Sequence, residues 1–233
     1  PGTTAPETVV PPKTVTPNTP SNTAQATPTS SVPPVVAEDP QFAVEKFNSG
    51  RAGIALSRNA DGKYAYSAEY TIRVRNSGLV DGTHSQIWDA PIRGVGFDIT
   101  SVTVDGTEVQ PQSGRYLISN EAELATGQYK DYRVVVNGTV TDQAANALPA
   151  AVGQCAAVTP QNPGAGSGLV NVVTMEGDSD GRENNIVCEP VELRRLNIEK
   201  RINGREDASV TPGEKMEIWY RVRNTGNVEL TDI

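Results

Sequence analysis

The chain has 233 residues, a formal net charge of −8 and a sequence pI of about 4.8. This acidic balance argues against binding to nucleic acid or to anionic membrane surfaces, because both kinds of partner select basic patches. No stretch approaches the run of about 20 apolar residues that inserts into a membrane, and no signal peptide opens the chain. Because the first residue is Pro rather than Met, we expect a processed or excised segment.

The first 40 residues consist mainly of Pro, Thr, Ser, Ala and Val, and they contain ten of the 17 prolines. A segment with so few large side chains buries too little apolar surface to offset the entropy lost on ordering. Frequent Pro also favours the extended polyproline II conformation. The composition therefore predicts a disordered Pro/Thr-rich stalk or linker over 1–40.

From Phe42 onward, short runs of β-branched and aromatic residues alternate with turn signals such as Asp105-Gly106. Only the segment 121–127 is compatible with a helical turn, and a loop fits it equally well. This pattern predicts an all-β, antiparallel β-sandwich over 42–191, with a jelly roll as the competing architecture. The predicted strands are FAVEKF (42–47), YAYSAEYTIRVRN (64–76), DITSVTVDGTEV (98–109), GRYLIS (114–119), DYRVVVNGTV (131–140), GLVNVVTM (168–175) and NNIVCEPVEL (184–193).

Two parts of the chain repeat in the same order. The spacing from Lys46 to Arg73 is 27 residues and that from Lys200 to Arg221 is 21, so the difference falls in the loop between the two strands. The repeat predicts tandem domains, with 196–233 as the truncated first strands of a second sandwich. The matching pairs are YTIRVRNSG (70–78) with WYRVRNTG (219–226), and FAVEK (42–46) with LNIEK (196–200).

The second copy resembles a known family through Lys200, VTPGE at 210–214, VRNTGN at 222–227 and LTD at 230–232. The family is the conserved-repeat, immunoglobulin-like domains of bacterial cell-surface proteins, a domain-of-unknown-function family. The first domain is a longer relative, in which Val173 replaces the Ala usual in a late strand. The resemblance implies immunoglobulin-like sandwiches strung along wall-attached proteins of Gram-positive bacteria, with a structural or adhesive role.

Some surface-protein sandwiches of related type form a spontaneous Lys–Asn isopeptide bond, in which a buried carboxylate transfers protons. The resemblance points to Lys46 on the first strand and to Asn171 on a late strand. Such a bond needs a neutral, desolvated amine as nucleophile, and strand alternation places Lys46 on one face with Phe42 and Val44. The alternative is a solvent-exposed lysine at a strand end. The candidate carboxylates are Glu69, Asp98 and Glu123.

The two cysteines, Cys155 and Cys188, are compatible with one disulfide in an oxidising compartment. It would close a loop of about 33 residues and stabilise the fold by about 3–4 kcal/mol in the chain-entropy model. The bridge would also pin the Ala-, Gly- and Pro-rich loop 142–168 to the sheet. Two free buried thiols are the alternative.

Asp178, Asp180 and Glu183 could offer oxygen ligands to Ca²⁺, with Gly181 at the turn. The spacing of an EF-hand loop is incomplete, so a solvated hairpin tip is the alternative, and no other cofactor is expected.

His84 is the single histidine, and no nucleophile is placed near it, so we expect a solvated loop residue. Asn137-Gly138-Thr139 matches the N-glycosylation pattern, but we expect a hairpin turn there. Nothing in the sequence indicates a catalytic residue, and we expect a protein that is not an enzyme.

These observations predict an extracellular structural segment that spaces or presents an adhesive tip, attached to the cell wall through regions outside the fragment. Two alternatives stay open. Residues 42–191 could themselves bind a protein or carbohydrate ligand through two predicted loops, 79–97, which contains Trp88, and 142–168. The chain could also be an accessory module of a secreted polysaccharide-degrading enzyme.

Overall fold

The computed structural model describes residues 39–51 and 53–233. The predicted linker over 1–40 therefore lies almost entirely outside the described residues. The short helices are α1 (Asp142–Asn146) and two 3-10 turns (Ala151–Gly153 and Pro163–Ala165). The strands are β1 (Phe42–Asn48), β2 (Ile54–Ala55), β3 (Ser57–Arg58), β4 (Tyr64–Asn76), β5 (Gly82–His84), β6 (Ile87–Ile92), β7 (Phe97–Val104), β8 (Thr107–Glu108), β9 (Pro111–Gln112), β10 (Arg115–Ser119), β11 (Ala122–Leu124), β12 (Tyr129–Val140), β13 (Leu169–Met175), β14 (Ile186–Glu189), β15 (Val191–Glu192), β16 (Leu196–Ile202) and β17 (Ile218–Asn224).

Two antiparallel sheets form the body of the fold. The first has the order β1-β4-β12-β7-β8, with β3 also paired to β4, and the second has the order β14-β13-β6-β10-β9. With β1, β4, β6, β7, β12, β13 and β14 taken as strands A to G, the first sheet contains A-B-E-D and the second contains C-F-G. This is the strand order of a constant-type immunoglobulin sandwich. The predicted all-β, immunoglobulin-like fold is therefore confirmed.

The core lies between the two sheets and follows from strand alternation. In β4 the side chains of Tyr70, Ile72 and Val74 point inward and are at most 2% exposed, while the residues between them face outward. From the second sheet, Val173 and Ile87 meet them and are fully buried. Each such aliphatic side chain contributes about 1.5–3 kcal/mol to folding through burial.

Two Gly-containing turn signals have different outcomes. Asp105 and Gly106 both have positive φ, 49° and 84°, and form the tight turn that joins β7 to β8, as predicted. The expected hairpin turn at Asn137-Gly138 is wrong, because both residues lie inside β12. The register against β7 shifts between them, which marks a bulge.

The long segment between β12 and β13 is ordered by hydrogen bonds rather than by a sheet. The Thr141 hydroxyl caps α1 by accepting a bond from the Ala144 amide at 3.2 Å. The buried Gln154 side chain donates to the Val191 carbonyl at 3.0 Å and accepts from the Val191 amide at 2.8 Å. No helix among the described residues is long and apolar enough to cross a membrane.

The hairpin β16–β17 repeats the pairing of β1–β4 and lies in one compact unit with the sandwich. Lys46 faces Ile72 in the first pair, and Lys200 faces Tyr220 in the second. The turns that follow β4 and β17 also match. Ser77 and Gly78 donate to the Gln41 carbonyl at 2.7 and 3.2 Å, and Thr225 and Gly226 donate to the Arg195 carbonyl at 2.8 and 3.2 Å.

Candidate functional site

Three polar side chains from three strands meet inside the sandwich. Lys46 lies on β1 of the first sheet, and Asp89 on β6 and Asn171 on β13 lie on the second. The register pairs Asp89 with Val173, two residues from Asn171, so both side chains point into the same layer of the core. The structure thus brings together the predicted pair, Lys46 and Asn171, and adds a carboxyl group between them.

Asp89 links the other two members of this cluster. The Lys46 amine donates to Asp89 Oδ1. Asn171 Nδ2 donates to Asp89 Oδ2 at 2.8 Å. Asn171 Oδ1 is buried and has no hydrogen-bond partner among the described residues. One carboxyl group therefore holds the amine and the carboxamide side by side, on its two oxygens.

Burial sets the electrostatics of the cluster. Lys46 is 4% exposed, and Asp89 and Asn171 are fully buried. Burial lowers the pKa of the Lys46 amine, and the nearby Asp89 carboxylate opposes that shift. The Nζ atom also lies 4.8 Å from the centre of the Tyr70 ring. A lysine in this environment is more easily neutral, and hence nucleophilic, than one in water.

A second carboxyl group lies close to the cluster. Glu189 on β14 is 1% exposed, and neither of its oxygens has a hydrogen-bond partner within normal distance among the described residues. Burial raises the pKa of Glu189. The polar groups of Ser49 and the positive charge of Arg51 lower this pKa, but their effects are smaller. Burial, Glu189 and Asp89 together raise the pKa of Tyr70 well above its usual range.

The prediction that Glu69, Asp98 or Glu123 is the proton-transferring carboxylate was wrong. Glu69 forms a two-armed ion pair with Arg133 on the outer face of the sheet, with both distances at 2.7 Å. Asp98 and Glu123 are exposed. Asp89 was missed because the segment 79–97 was interpreted as a loop, whereas it contains β5 and β6. One feature of the sequence could have identified it. In the short apolar run 87–92, Asp89 occupies the same alternating positions as Ile87 and Pro91, so its side chain is the one acidic group on that face.

The predicted disulfide is present between Cys155 and Cys188, with Cα atoms 5.7 Å apart. It fastens the 142–168 segment to β14, as expected. Gly168 packs directly against the bridge, and a Cβ there would lie 2.9 Å from each sulfur. The same Cβ would lie 2.6 Å from the Glu189 carbonyl oxygen, so a side chain at this position would overlap both β14 and the bridge.

Two of the expected calcium ligands, Asp178 and Asp180, accept hydrogen bonds from groups of the protein. Asp178 accepts hydrogen bonds from the Val44 amide at 3.2 Å and from Asn185 Nδ2 at 2.7 Å, and so ties the edge of β1 to the β13–β14 connection. Asp180 accepts from Asn184 Nδ2 at 3.0 Å. Within 39–51 and 53–233 no group of three or more His, Cys, Asp or Glu side chains is arranged to hold a metal ion. The calcium site stays a prediction.

Two other expectations change. His84 is not a solvated loop residue. It is 2% exposed on β5, its Nδ1 lies 2.8 Å from the Ser85 carbonyl oxygen, and its ring packs edge-on against Phe42. Trp88 lies on the strand β6 rather than on a loop, with the Arg115 guanidinium 4.9 Å from its ring centre, and its part in ligand binding stays a prediction.

Comparisons with solved structures give distant similarities, of which two are described here. No family model matches the chain, and no curated protein matches it. A variant of BcpA, the major pilin subunit of Bacillus cereus, is 12% identical with a TM-score of 0.34, and the match covers 79% of this chain and 56% of the pilin. A zinc metallopeptidase of Deinococcus radiodurans bound to a Tyr-Ser-Ala peptide is 12% identical with a TM-score of 0.21, over 81% and 41%. The chain thus spans just over half of the pilin subunit, and neither similarity bears on function.

Proposed function

We propose that this chain is a load-bearing segment of a bacterial cell-surface protein, and that its sandwich is closed by an amide bond between Lys46 and Asn171. The observation that carries the proposal is the buried cluster in which Asp89 contacts both groups. The bond would join β1 of the first sheet to β13 of the second. The two layers would then be held by a covalent link as well as by packing.

The chemistry needs no external reagent. A proton moves from the Lys46 ammonium to the Asp89 carboxylate across their hydrogen bond, which leaves two neutral groups in the core. The lone pair of Nζ attacks Cγ of Asn171, and the C–N bond to Nδ2 breaks. The neutral Asp89 carboxyl group delivers its proton to the departing nitrogen, which leaves as ammonia, and then takes up the proton lost from Nζ. One amine and one carboxamide give one secondary amide and one NH₃.

The position of the bond suits a mechanical role. Lys46 lies four residues after Phe42, the first residue of β1, and Asn171 lies in β13, the sixth of the sandwich strands A to G. A pull on the two ends of the chain would therefore pass through the amide and bypass about 125 residues between the linked positions. In the chain-entropy model a cross-link of that span also stabilises the fold by about 5 kcal/mol.

The intact mass of the purified chain tests the bond. With the Cys155–Cys188 disulfide reduced, we expect a mass about 17 Da below that calculated from the sequence, because one ammonia is lost. Asp89→Ala and Asn171→Ala should each restore the calculated mass of the variant. Lys130→Ala, which changes a lysine on the exposed part of β12, should keep the deficit. A wild-type mass equal to the calculated value would refute the proposal.

A further inference from the structure

The connection between β13 and β14, residues 176–185, takes the place of a strand along the outer edge of β1. Among the strands that the structure describes, β1 pairs only with β4, so alternate backbone groups on its other side need different partners. The Ser179 amide donates to the Phe42 carbonyl at 2.8 Å, and the Lys46 amide donates to the Asn184 carbonyl at 2.9 Å. An element of the second sheet thus holds the edge of the first.

Asp178 supplies a third hydrogen bond at this edge, between the other two. Its Oδ1 accepts from the Val44 amide at 3.2 Å, and its Oδ2 accepts from Asn185 Nδ2 at 2.7 Å. Asn185 is 3% exposed, and its backbone carbonyl accepts from the Val173 amide at 2.9 Å. Val173 is the register partner of Asp89. A continuous path of hydrogen bonds therefore runs from β1 to the strand pair of the second sheet that carries the buried cluster.

This path runs beside the two groups that the proposed amide would join. Val44 precedes Lys46 by two residues on the same face of β1, and Val173 follows Asn171 by two residues on the same face of β13. Apolar packing between the sheets is non-directional, whereas a hydrogen bond fixes both distance and direction. The path therefore sets the position of β1 along the second sheet, and with it the position of the Lys46 amine.

We infer that Asp178 is a positioning residue for the bond between Lys46 and Asn171, and that it acts through Asn185. The inference rests on the proposed function. Asp178 takes no proton in the reaction. It holds β1 where Nζ can reach Cγ of Asn171. Attack requires the two reacting atoms to lie about 3–3.5 Å apart, and a displacement of about 1 Å can slow a reaction by about 100-fold.

The rate of ammonia loss after folding tests the inference. Chain that is produced and kept in concentrated urea, and so still has its calculated mass, is diluted into buffer. Circular dichroism follows folding, and samples are quenched, reduced and weighed by mass spectrometry. Asp178→Ala should lose about 17 Da some 10- to 100-fold more slowly than the wild type, with each rate divided by the folded fraction. Glu176→Ala, which removes an exposed carboxylate from the same connection, is the matched control and should keep the wild-type rate.

Asp178→Asn separates the geometry of the path from the charge of Asp178. The Oδ1 atom of the new side chain still accepts from the Val44 amide. A flip of the Asn185 carboxamide turns its Oδ1, which is buried without a partner among the described residues, towards the new Nδ2. Asp178→Asn should therefore react at a rate close to that of the wild type. If Asp178→Ala does not fold, Asn185→Ala breaks the same path at its other end and should show the slow rate.

The outcomes separate this inference from the proposed function. A folded wild type that keeps its calculated mass refutes the proposed amide. If the wild type loses ammonia and folded Asp178→Ala does so at the same rate, only the inference fails. It also fails if Asp178→Asn is as slow as Asp178→Ala, or if Asn185→Ala reacts at the wild-type rate. Failure of both alanine variants to fold would make the path a requirement for folding rather than for positioning, and would overturn the inference as well.

Discussion

At the scale of single residues, Glu189 is a buried carboxyl group that the cross-linking chemistry does not use. Its pKa is raised by burial, so the folded chain binds this proton more tightly than the unfolded chain does. The stability that this proton provides is complete below the unfolded-state pKa of about 4.3. It is lost as the pH rises through the higher folded-state value.

Glu189→Gln should therefore stabilise the chain at neutral pH by about 1–3 kcal/mol, the order of the desolvation penalty of a buried polar group, because Gln removes the buried negative charge. The gain should shrink as the pH falls and disappear below a pH of about 4. Urea unfolding of the wild type and of Glu189→Gln, from neutral pH down to a pH of about 4, measures the difference in their free energies of unfolding. Glu183→Gln, at an exposed position on the β13–β14 connection, is the control and should change nothing. A gain that does not depend on pH would contradict this account.

At the scale of secondary-structure elements, the bulge in β12 depends on a residue without a side chain. Gly138 lies under the Tyr66 ring and against the backbone carbonyl of Asp98, and a Cβ would overlap both. Neither a backbone oxygen nor a packed ring can move away cheaply. Gly138 is thus required here by its close packing against β4 and β7 rather than by turn geometry.

Gly138→Ala should therefore destabilise the sandwich by about 1–3 kcal/mol, as overpacked substitutions do. Thermal unfolding followed by circular dichroism measures the loss. Gly153→Ala is the matched control, because a Cβ at that position meets nothing within 4 Å. Equal melting temperatures for the two variants would show that the strands adapt to the added methyl group.

The elements differ in how well the sequence predicts them. The long strands β4 and β12 carry unbroken alternation, and both are found where the pattern puts them. The strand β6, IWDAPI, was missed because Asp89 and Pro91 are residues that strands disfavour. Its place in the sheet comes from pairing with β13 and β10, which are distant in sequence.

The same reason limits prediction of the site. Lys46 and Asn171 could be named because the family resemblance points to a Lys on the first strand and an Asn on a late strand, and both lie on alternating apolar faces. The carboxyl group could not, because the choice among many acids depends on which strand lies between β10 and β13. The pairing of β6 with β13 places Asp89, rather than another acid, beside Asn171.

At the scale of the whole molecule, the proposed amide should limit how far the chain extends under force. With the disulfide reduced, pulling on both ends of Asn171→Ala should lengthen the fully unfolded chain by about 430 Å more than the wild type, because about 125 additional residues extend at roughly 3.3–3.6 Å each. Single-molecule force spectroscopy measures this increment. Equal final lengths for the two proteins would mean that no covalent link shields those residues.

The three strands that carry Lys46, Asp89 and Asn171 stand first, third and sixth in the order of the sandwich. Their side chains therefore meet only after most of the chain has folded and both sheets have closed on each other. Under the proposed chemistry, the lost ammonia is a permanent chemical record that a given molecule once reached its native state. A preparation that is later unfolded would still carry that record, and the fraction of unshifted mass would count the molecules that never folded.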